Sequence, residues 1–148
     1  MEEDYVILKQ YLLDLEYNAP IKPEKFLTLE EDSEANQANE IALSIEYQKD
    51  SGLFYVDLTV SCNVVIPEKF SVFSLKATYR GVVVVDFSLP DEKIRECLNI
   101  LVPQVLYESI CDVIYSVSML SGWTPIEMEY YSFKNNHVNL PEINTNYQ

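Results

Sequence analysis

The sequence predicts an α+β fold in which a four-stranded antiparallel sheet is followed by one long helix and a short C-terminal helix or tail. Residues 53–64 carry this prediction, because apolar and polar side chains alternate there without a break, as in a strand with one dry and one wet face. Similar alternation recurs on both sides across short turns, and the period becomes helical after Phe87. The 148 residues are expected to form a single domain.

The first strand is predicted over residues 5–17, with a long connection after it. Apolar residues at odd positions are expected to share one face: Tyr5, Ile7, Tyr11, Leu13, Leu15 and Tyr17. The other face is also partly apolar, so we expect cover on both sides. Residues 18–39 contain two prolines and an acidic cluster and show no sustained period, which indicates a long crossover and not a hairpin.

The next three strands are predicted to form a meander. Their apolar patterns occupy residues 41–48, 53–64 and 73–85, joined by turns at 49–52 and 67–69. A bend is expected at Gly81. The sheet therefore consists of the meander and the first strand, which the long crossover connects.

Helical structure is predicted from Pro90 onward, because proline and the two acids that follow it suit the start of a helix. Pro103 is expected to break or restart this helix. The long helix then covers residues 104–120 and ends at Gly122. From about residue 134 we expect a polar tail with at most a short helix.

The long helix has an apolar arc that is wider than one sheet face requires. Its apolar stripe includes Leu106, Ile110, Val113 and Val117, and the polar line opposite is narrow. A second surface, such as another subunit, should cover part of this arc. We therefore predict an oligomer with these four residues at the interface.

The charge and the N-terminus exclude several classes of protein. The formal net charge is −14, which argues against a nucleic-acid partner, since phosphate binding needs clustered Lys and Arg. The first apolar run is interrupted at Lys9, Gln10 and Asp14, so we predict neither a signal peptide nor membrane insertion. We expect a soluble, cytoplasmic protein.

The sequence offers no set of residues for catalysis, and we predict that the protein is not an enzyme. The one histidine, His137, lies in the polar tail, and the three glycines cannot form a phosphate-binding loop. Cys62, Cys97 and Cys111 lack CxxC spacing and are expected to be free, buried thiols. No metal ion or other cofactor is predicted.

Apolar side chains outside the predicted strands and helix are unusually frequent. They are Ile21, Phe26, Leu27 and Leu29 in the crossover and Trp123, Tyr130 and Tyr131 near the end. They could close the ends of the core, or together they could form a groove for extended apolar polypeptide. On the second interpretation, Phe26 and Leu29 contribute more to polypeptide binding than to stability.

Two spaced motifs resemble the SecB protein-export chaperones. Residues 14–20 (DLEYNAP), with Pro23 and Phe26 after them, resemble that family's first strand and loop entry. The second motif is similar to the family's helix and the loop after it: Cys97-Leu98, Pro103, Val105-Leu106-Tyr107, Gly122, Pro125 and Phe133. The resemblance implies a four-stranded sheet with helices beside it, a homotetramer built as a dimer of dimers, and ATP-independent capture of unfolded chains.

The sequence also departs from the SecB pattern. The run from Tyr107 to Cys111 lacks the family's proline and arginine, and Glu30 stands where a tryptophan often follows the loop phenylalanine. These differences suggest a divergent SecB-like branch, and similar proteins in that branch are associated with control of toxin–antitoxin pairs.

The resemblance also bears on the negatively charged surface with which SecB proteins dock on the SecA ATPase. Asp14 keeps the acid of the motif, but Asn18 and Lys76 stand where the family tends to have acids. A like-charge contact opposes docking, so we expect weak or absent binding to a SecA-type partner.

The leading functional hypothesis is a holdase that binds apolar segments of non-native polypeptides. Its clients would be an antitoxin-type protein or preproteins for export. Two alternatives remain at this stage: a carrier of a small hydrophobic ligand, and a purely structural subunit of an oligomer.

Overall fold

A computed structural model describes residues 3–28, 36–66 and 70–136. Its elements, in chain order, are β1 (Tyr5–Asn18), α1 (Pro23–Thr28), β2 (Asn36–Gln48), β3 (Leu53–Ile66), β4 (Phe70–Val85), α2 (Asp91–Glu96) and α3 (Val102–Met119). A π-helical turn, Cys97–Leu101, connects α2 to α3.

The four strands form one antiparallel sheet in the order β1-β4-β3-β2. The predicted meander is confirmed, because β2 pairs with β3 and β3 pairs with β4. The connection after β1 crosses to the opposite edge of the sheet, as expected for a crossover. It contains α1, which the sequence did not predict because six residues are too few to show a helical period.

One face of the sheet is buried under α3. Alternate residues of β3, from Phe54 to Ile66, are buried on this face. Leu106, Ile110 and Ile114 pack against them from the helix and are fully buried. Burial of each such aliphatic side chain is worth about 2 kcal/mol, so this two-layer core is a major source of stability.

Strand β1 departs from its predicted alternation. Its register with β4 shifts after Ile7 and again after Leu12. Each shift is a β-bulge, which inserts one residue and changes the face to which the following side chains point. Tyr11 therefore lies opposite Arg80 on the outer face, and Leu13 is the unpaired residue of the second bulge. The prediction that these two residues belong to the core-side row was wrong.

Pro103 marks a change of helix type and not a break. The chain is helical from Asp91 to Met119, and the π-helical turn immediately precedes α3. Pro103 occupies the first turn of α3, and it lacks the N–H that would bond to a carbonyl of the preceding helical turn. The wider π turn absorbs the irregularity upstream of the proline.

This continuous helix is long and apolar enough to cross a membrane by length and composition. A helix at the centre of a compact core has the same composition, and the apolar side of α3 packs on the sheet. The helix therefore gives only weak support for a membrane span.

The C-terminal strap, which we define as residues 123–133, runs back along α3 without regular structure. Helix side chains hold its backbone through four hydrogen bonds. These are Ile126 N to Ser118 Oγ (2.8 Å), Tyr107 Oη to Glu129 O (2.8 Å), Gln104 Nε2 to Tyr131 O (2.9 Å) and Phe133 N to Gln104 Oε1 (3.2 Å). Ile126 and Phe133 are buried, so the strap forms part of the core.

Candidate functional site

Helix α1 places an aromatic ring over the end of α3. The helix begins at Pro23, a favoured first residue, and Phe26 is its only side chain that is even partly buried. The Phe26 ring packs edge-to-face on Trp123, with ring centroids 6.3 Å apart at 72°. Such a pair is worth roughly 0.5–1.5 kcal/mol beyond burial, so this contact attaches α1 to the strap.

Gly122 makes this contact possible. Its φ of +80° is one that residues with a side chain rarely adopt, and a Cβ here would lie 3.2 Å from Cζ of Phe26. Glycine thus permits both the turn after α3 and the close approach of the ring. Lys25 adds a second attachment, since its Nζ lies 5.1 Å from the centroid of the Phe70 ring at the start of β4.

An open apolar cleft of about 390 Å³ lies beneath α1. Its walls are apolar except for one serine: Ala19, Ile21, Pro23, Phe26, Leu27 and Ser121. Leu27 is 85% exposed, and Leu120 at the end of α3 is 87% exposed. We call this surface, together with Trp123, the α1 cleft. It can hold an aliphatic or aromatic side chain of another molecule.

The structure thus brings together four of the predicted polypeptide-binding residues: Ile21, Phe26, Leu27 and Trp123. Tyr131 lies elsewhere, because it packs on Tyr107 and Phe133 and its carbonyl accepts the bond from Gln104 near the start of α3. The two ends of α3 are roughly 25 Å apart at 1.5 Å per residue. Tyr130, which precedes Tyr131 on the strap, is 81% exposed.

Leu29, the last predicted polypeptide-binding residue, lies outside the described residues. His137 also lies outside them.

The residues predicted for partner docking all lie on the outer face of the sheet. Asp14 is opposite Thr78, Asn18 is opposite Ser74, and Lys76 is opposite Glu16. Asn18 and Lys76 line a polar cleft of about 480 Å³ in which Ser61, Asn63 and Glu40 also take part. Lys76 is thus placed among neutral and acidic side chains.

The predicted oligomer interface needs a correction. Leu106 and Ile110 are fully buried inside the subunit, and Leu106 touches the position where Gly81 lacks a side chain: a Cβ on Gly81 would lie 3.2 Å from Leu106 Cδ2. Gly81 therefore allows α3 to approach a continuous β4, where a bend had been expected. Because Leu106 and Ile110 already fill the core, they cannot contact a second subunit, and that part of the prediction was wrong.

Val113 and Val117, the other two predicted interface residues, are only partly buried. They lie on the side of α3 that faces β1, where Ser109 Oγ donates to Gln10 Oε1 at 2.9 Å. Leu12, two residues after Gln10 on the same face of β1, is 39% exposed, so this edge of the sheet also carries apolar surface.

The titratable groups of the core serve structure. Burial raises the pKa of the Cys62 thiol to about 11, so this thiol stays protonated and is a poor nucleophile at neutral pH. Burial likewise raises the pKa of Tyr107, whose hydroxyl donates to the strap. Among the described residues, no group of three or more His, Cys, Asp or Glu could hold a metal ion.

The four-stranded sheet, the crossover to its far edge and the long helix define a class of SecB-like α+β proteins. The sequence model described as "Preprotein translocase subunit SecB" matches residues 1–139, and the chain belongs to the SecB family. This is a family of chaperones and not of enzymes.

This chain is similar to several relatives and to solved structures. "Protein-export protein SecB" of Magnetococcus marinus is 29% identical over 128 residues, which cover 86% of this chain and 78% of that protein. The protein of the same name from Chromobacterium violaceum is 25% identical over 134 residues, covering 90% and 85%. A SecB-like chaperone of Mycobacterium tuberculosis, solved in complex with a ChAD peptide from an antitoxin, has the same fold: its TM-score is 0.70 at 13% identity, over 87% of this chain and 91% of that one.

Proposed function

We propose that the protein is an ATP-independent holdase that binds apolar segments of non-native polypeptides in the α1 cleft. The observation that carries this proposal is the exposure of apolar side chains around a cleft whose walls contain a single polar residue. Exposed apolar surface of this kind is unfavourable in water unless a partner covers it. Capture of a client would thus depend on the burial of apolar surface and not on a covalent reaction.

The openness of the cleft favours a polypeptide over a small enclosed ligand. Leu27 and Leu120 project into solvent beside it, so a bound molecule would contact surface outside the cleft as well as inside it. An extended chain can place one side chain in the cleft and continue along the surface, whereas a small ligand would leave these leucines exposed.

Suppression of client aggregation tests this function. The wild-type protein, in stoichiometric excess over a heat-denatured client, should reduce light scattering without ATP. Leu27→Ser should weaken this effect, because truncating an apolar contact at a binding surface costs roughly 1–2 kcal/mol. The melting midpoint should move little, since Leu27 is 85% exposed.

Tyr130→Ser is the matched comparison, because Tyr130 is 81% exposed but lies on the strap beside Tyr131 and not in the α1 cleft. An equal loss in both variants would extend the binding surface along the strap. If the wild-type protein does not reduce the light scattering of the aggregating client at any ratio, the holdase function is contradicted. A single lipid-like compound recovered at unit stoichiometry by mass spectrometry would favour a ligand carrier.

We further propose a homotetramer built as a dimer of dimers. Val113 and Val117 adjoin the exposed leucines of β1, and together they form an apolar surface suited to a symmetric contact with a second copy.

Docking on a SecA-type ATPase is proposed to be weak, because Lys76 and Asn18 occupy the polar cleft on the outer face. We place the protein in the cytoplasm, with an antitoxin or another unstable protein as the client.

Calorimetry with SecA from the same cell tests the docking proposal. We expect no submicromolar binding by the wild type and stronger binding by Lys76→Glu, which replaces a repulsion with an attraction. Submicromolar wild-type binding that weakens with salt and is lost in Asp14→Lys would show that the docking surface is functional and that the proposal is wrong.

A further inference from the structure

The C-terminal strap contacts the core face of the sheet at Met128. The Cys62 thiol of β3 donates to Met128 Sδ, with the two sulfur atoms 3.6 Å apart. The Gln37 side chain of β2 reaches the same sulfur atom, with its Nε2 3.9 Å away. One thioether therefore attaches the middle of the strap to two strands, through contacts that suit a soft sulfur atom that accepts hydrogen bonds weakly.

Met128 lies between the solvent and the core. The residue is partly exposed, whereas Cys62, which it covers, is 0% exposed. An oxidant in the solvent can thus reach Met128 in the folded protein, while Cys62 is shielded.

The thiols of the chain are protected against oxidation in a way that a thioether is not. Burial raises the pKa of the Cys62 thiol to about 11 and also raises the pKa values of Cys97 and Cys111. The thiolate is the form of cysteine that reacts with peroxides, so these three groups react slowly at neutral pH. A thioether carries no proton, and its oxidation does not depend on such a pKa.

The two methionines within the described residues have different surroundings. Met119 is the last residue of α3 and is 54% exposed, so a polar group on its side chain can project into water. Met128 lies on the strap between Ile126 and Phe133, which are both buried. Oxidation should therefore have little structural effect at Met119 and a large one at Met128.

We propose that Met128 is a site of reversible oxidation and that its conversion to the sulfoxide by a peroxide detaches the middle of the strap from the sheet. The reaction transfers one oxygen atom of hydrogen peroxide to Sδ: an S–O bond forms, the O–O bond breaks, and water leaves. The thioether loses two electrons and the peroxide gains them. This inference goes beyond the proposed holdase function, because it concerns a modification and not a binding surface.

The sulfoxide is unfavourable in the attached position for two reasons. It places a polar oxygen where Sδ now touches a fully buried residue, and burial of a polar group that lacks hydrogen bonds is costly. It also adds an atom to a packed contact, which forces the neighbouring groups apart. Rotation of the modified side chain into the solvent relieves both costs, and the strap then loses its contact with Cys62.

Treatment with hydrogen peroxide, followed by mass spectrometry and amide hydrogen exchange, tests the inference. Peptide mapping should find the sulfoxide at Met119 and Met128 and no oxidised cysteine. The amides of residues 126–129 should exchange at least about tenfold faster in the oxidised protein, while the β3 amides keep their protection. Enzymatic reduction by methionine sulfoxide reductases should restore slow exchange, which irreversible damage would not allow.

Three variants assign the response to one side chain. Met128→Leu keeps the side-chain volume and removes the thioether, so peroxide should change the exchange of the strap by less than about twofold. Met119→Leu is the matched control, because it removes the more exposed methionine and should keep the full response. Met128→Gln places a polar group at the contact and should accelerate exchange of the strap without peroxide.

Three results would overturn the inference. In the first, Met128 stays reduced while Met119 is oxidised. In the second, Met128 carries the sulfoxide and residues 126–129 exchange as slowly as before. In the third, Met128→Leu responds to peroxide like the wild type, which would place the sensitive group elsewhere. None of these measurements uses a client, so the inference and the holdase function can each fail without the other.

Discussion

The two outer strands of the sheet are similar in length and opposite in surface chemistry. Strand β1 has 14 residues and β2 has 13. The large apolar side chains exposed on β1 are Leu8, Leu12, Leu13, Leu15 and Tyr17, at 39–57%. The exposed side chains of β2 are small or polar, with two glutamates.

The two outer strands also differ in the regularity of their pairing. Two bulges interrupt β1, which limits continuous strand pairing at its free edge, whereas β2 is regular throughout. An apolar, bulged edge is suited to a permanent contact made by side chains. A regular, acidic edge is suited to reversible backbone pairing. The comparison therefore supports the proposal that β1, and not β2, forms the contact with a second copy.

The largest expected effect concerns assembly. Replacing Leu12 and Leu15 with lysine should reduce the mass, measured by light scattering coupled to size exclusion, from near four times 17.1 kDa to a dimer or monomer, because charges buried at an apolar contact are costly. The matched control is Ala42→Lys with Ser44→Lys on β2, which should keep the tetramer. If only the control variant dissociates into smaller species, the contact between copies is formed by β2 and not by β1.

The second effect is on stability and compares a fully buried position of α3 with an exposed position just after the helix. Leu106→Ala should lower the free energy of unfolding by roughly 2–5 kcal/mol, because it opens a cavity beneath the helix, without changing the oligomeric mass. Leu120→Ala, at an 87% exposed position, should change it by less than about 0.5 kcal/mol. Denaturant melts provide both values. Dissociation of the tetramer by Leu106→Ala at unchanged subunit stability would restore the original interface prediction.

A smaller effect is expected at alkaline pH beneath the β2 side of the sheet. Cys62 is fully buried, with its Sγ 3.6 Å from Sδ of Met128, and its pKa rises from near 9 to about 11. The folded state favours the neutral thiol, so its contribution to stability is complete below pH 9 and is lost as the pH rises toward 11. The slope can reach about 1.4 kcal/mol per pH unit.

Urea melts across this pH range, compared with Cys62→Ala, isolate the contribution of this one thiol. The variant should lose less stability than the wild type between pH 9 and pH 11. Parallel pH profiles would mean that the thiolate is accommodated in the folded state.

The sequence was sufficient to predict the structure where one side-chain pattern extends over a long segment. Alternation in β3 matched the structure because this strand is central and has a single core face. The meander followed from its turns, and the crossover followed from its length. The family motifs supplied the order of the elements.

The failures occur where local pattern and tertiary pairing compete. The bulges of β1 are determined by its register with β4, and nothing in the β1 sequence marks them. Leu106 of α3 belongs to the core because Gly81 of β4 leaves space for it. The pairing of Phe26 with Trp123 depends on the backbone of Gly122, so the sequence could nominate these aromatic residues without showing that they meet.

The central claim is that the α1 cleft holds non-native polypeptide, and Trp123 is a natural probe of it because the chain has one tryptophan. Its fluorescence should be recorded while a reduced and alkylated client without tryptophan is added, with client anisotropy measured in parallel. We predict a shift of Trp123 emission that saturates together with the anisotropy and is diminished in Leu27→Ser. Client binding seen by anisotropy with unchanged Trp123 emission would contradict the assignment of the α1 cleft.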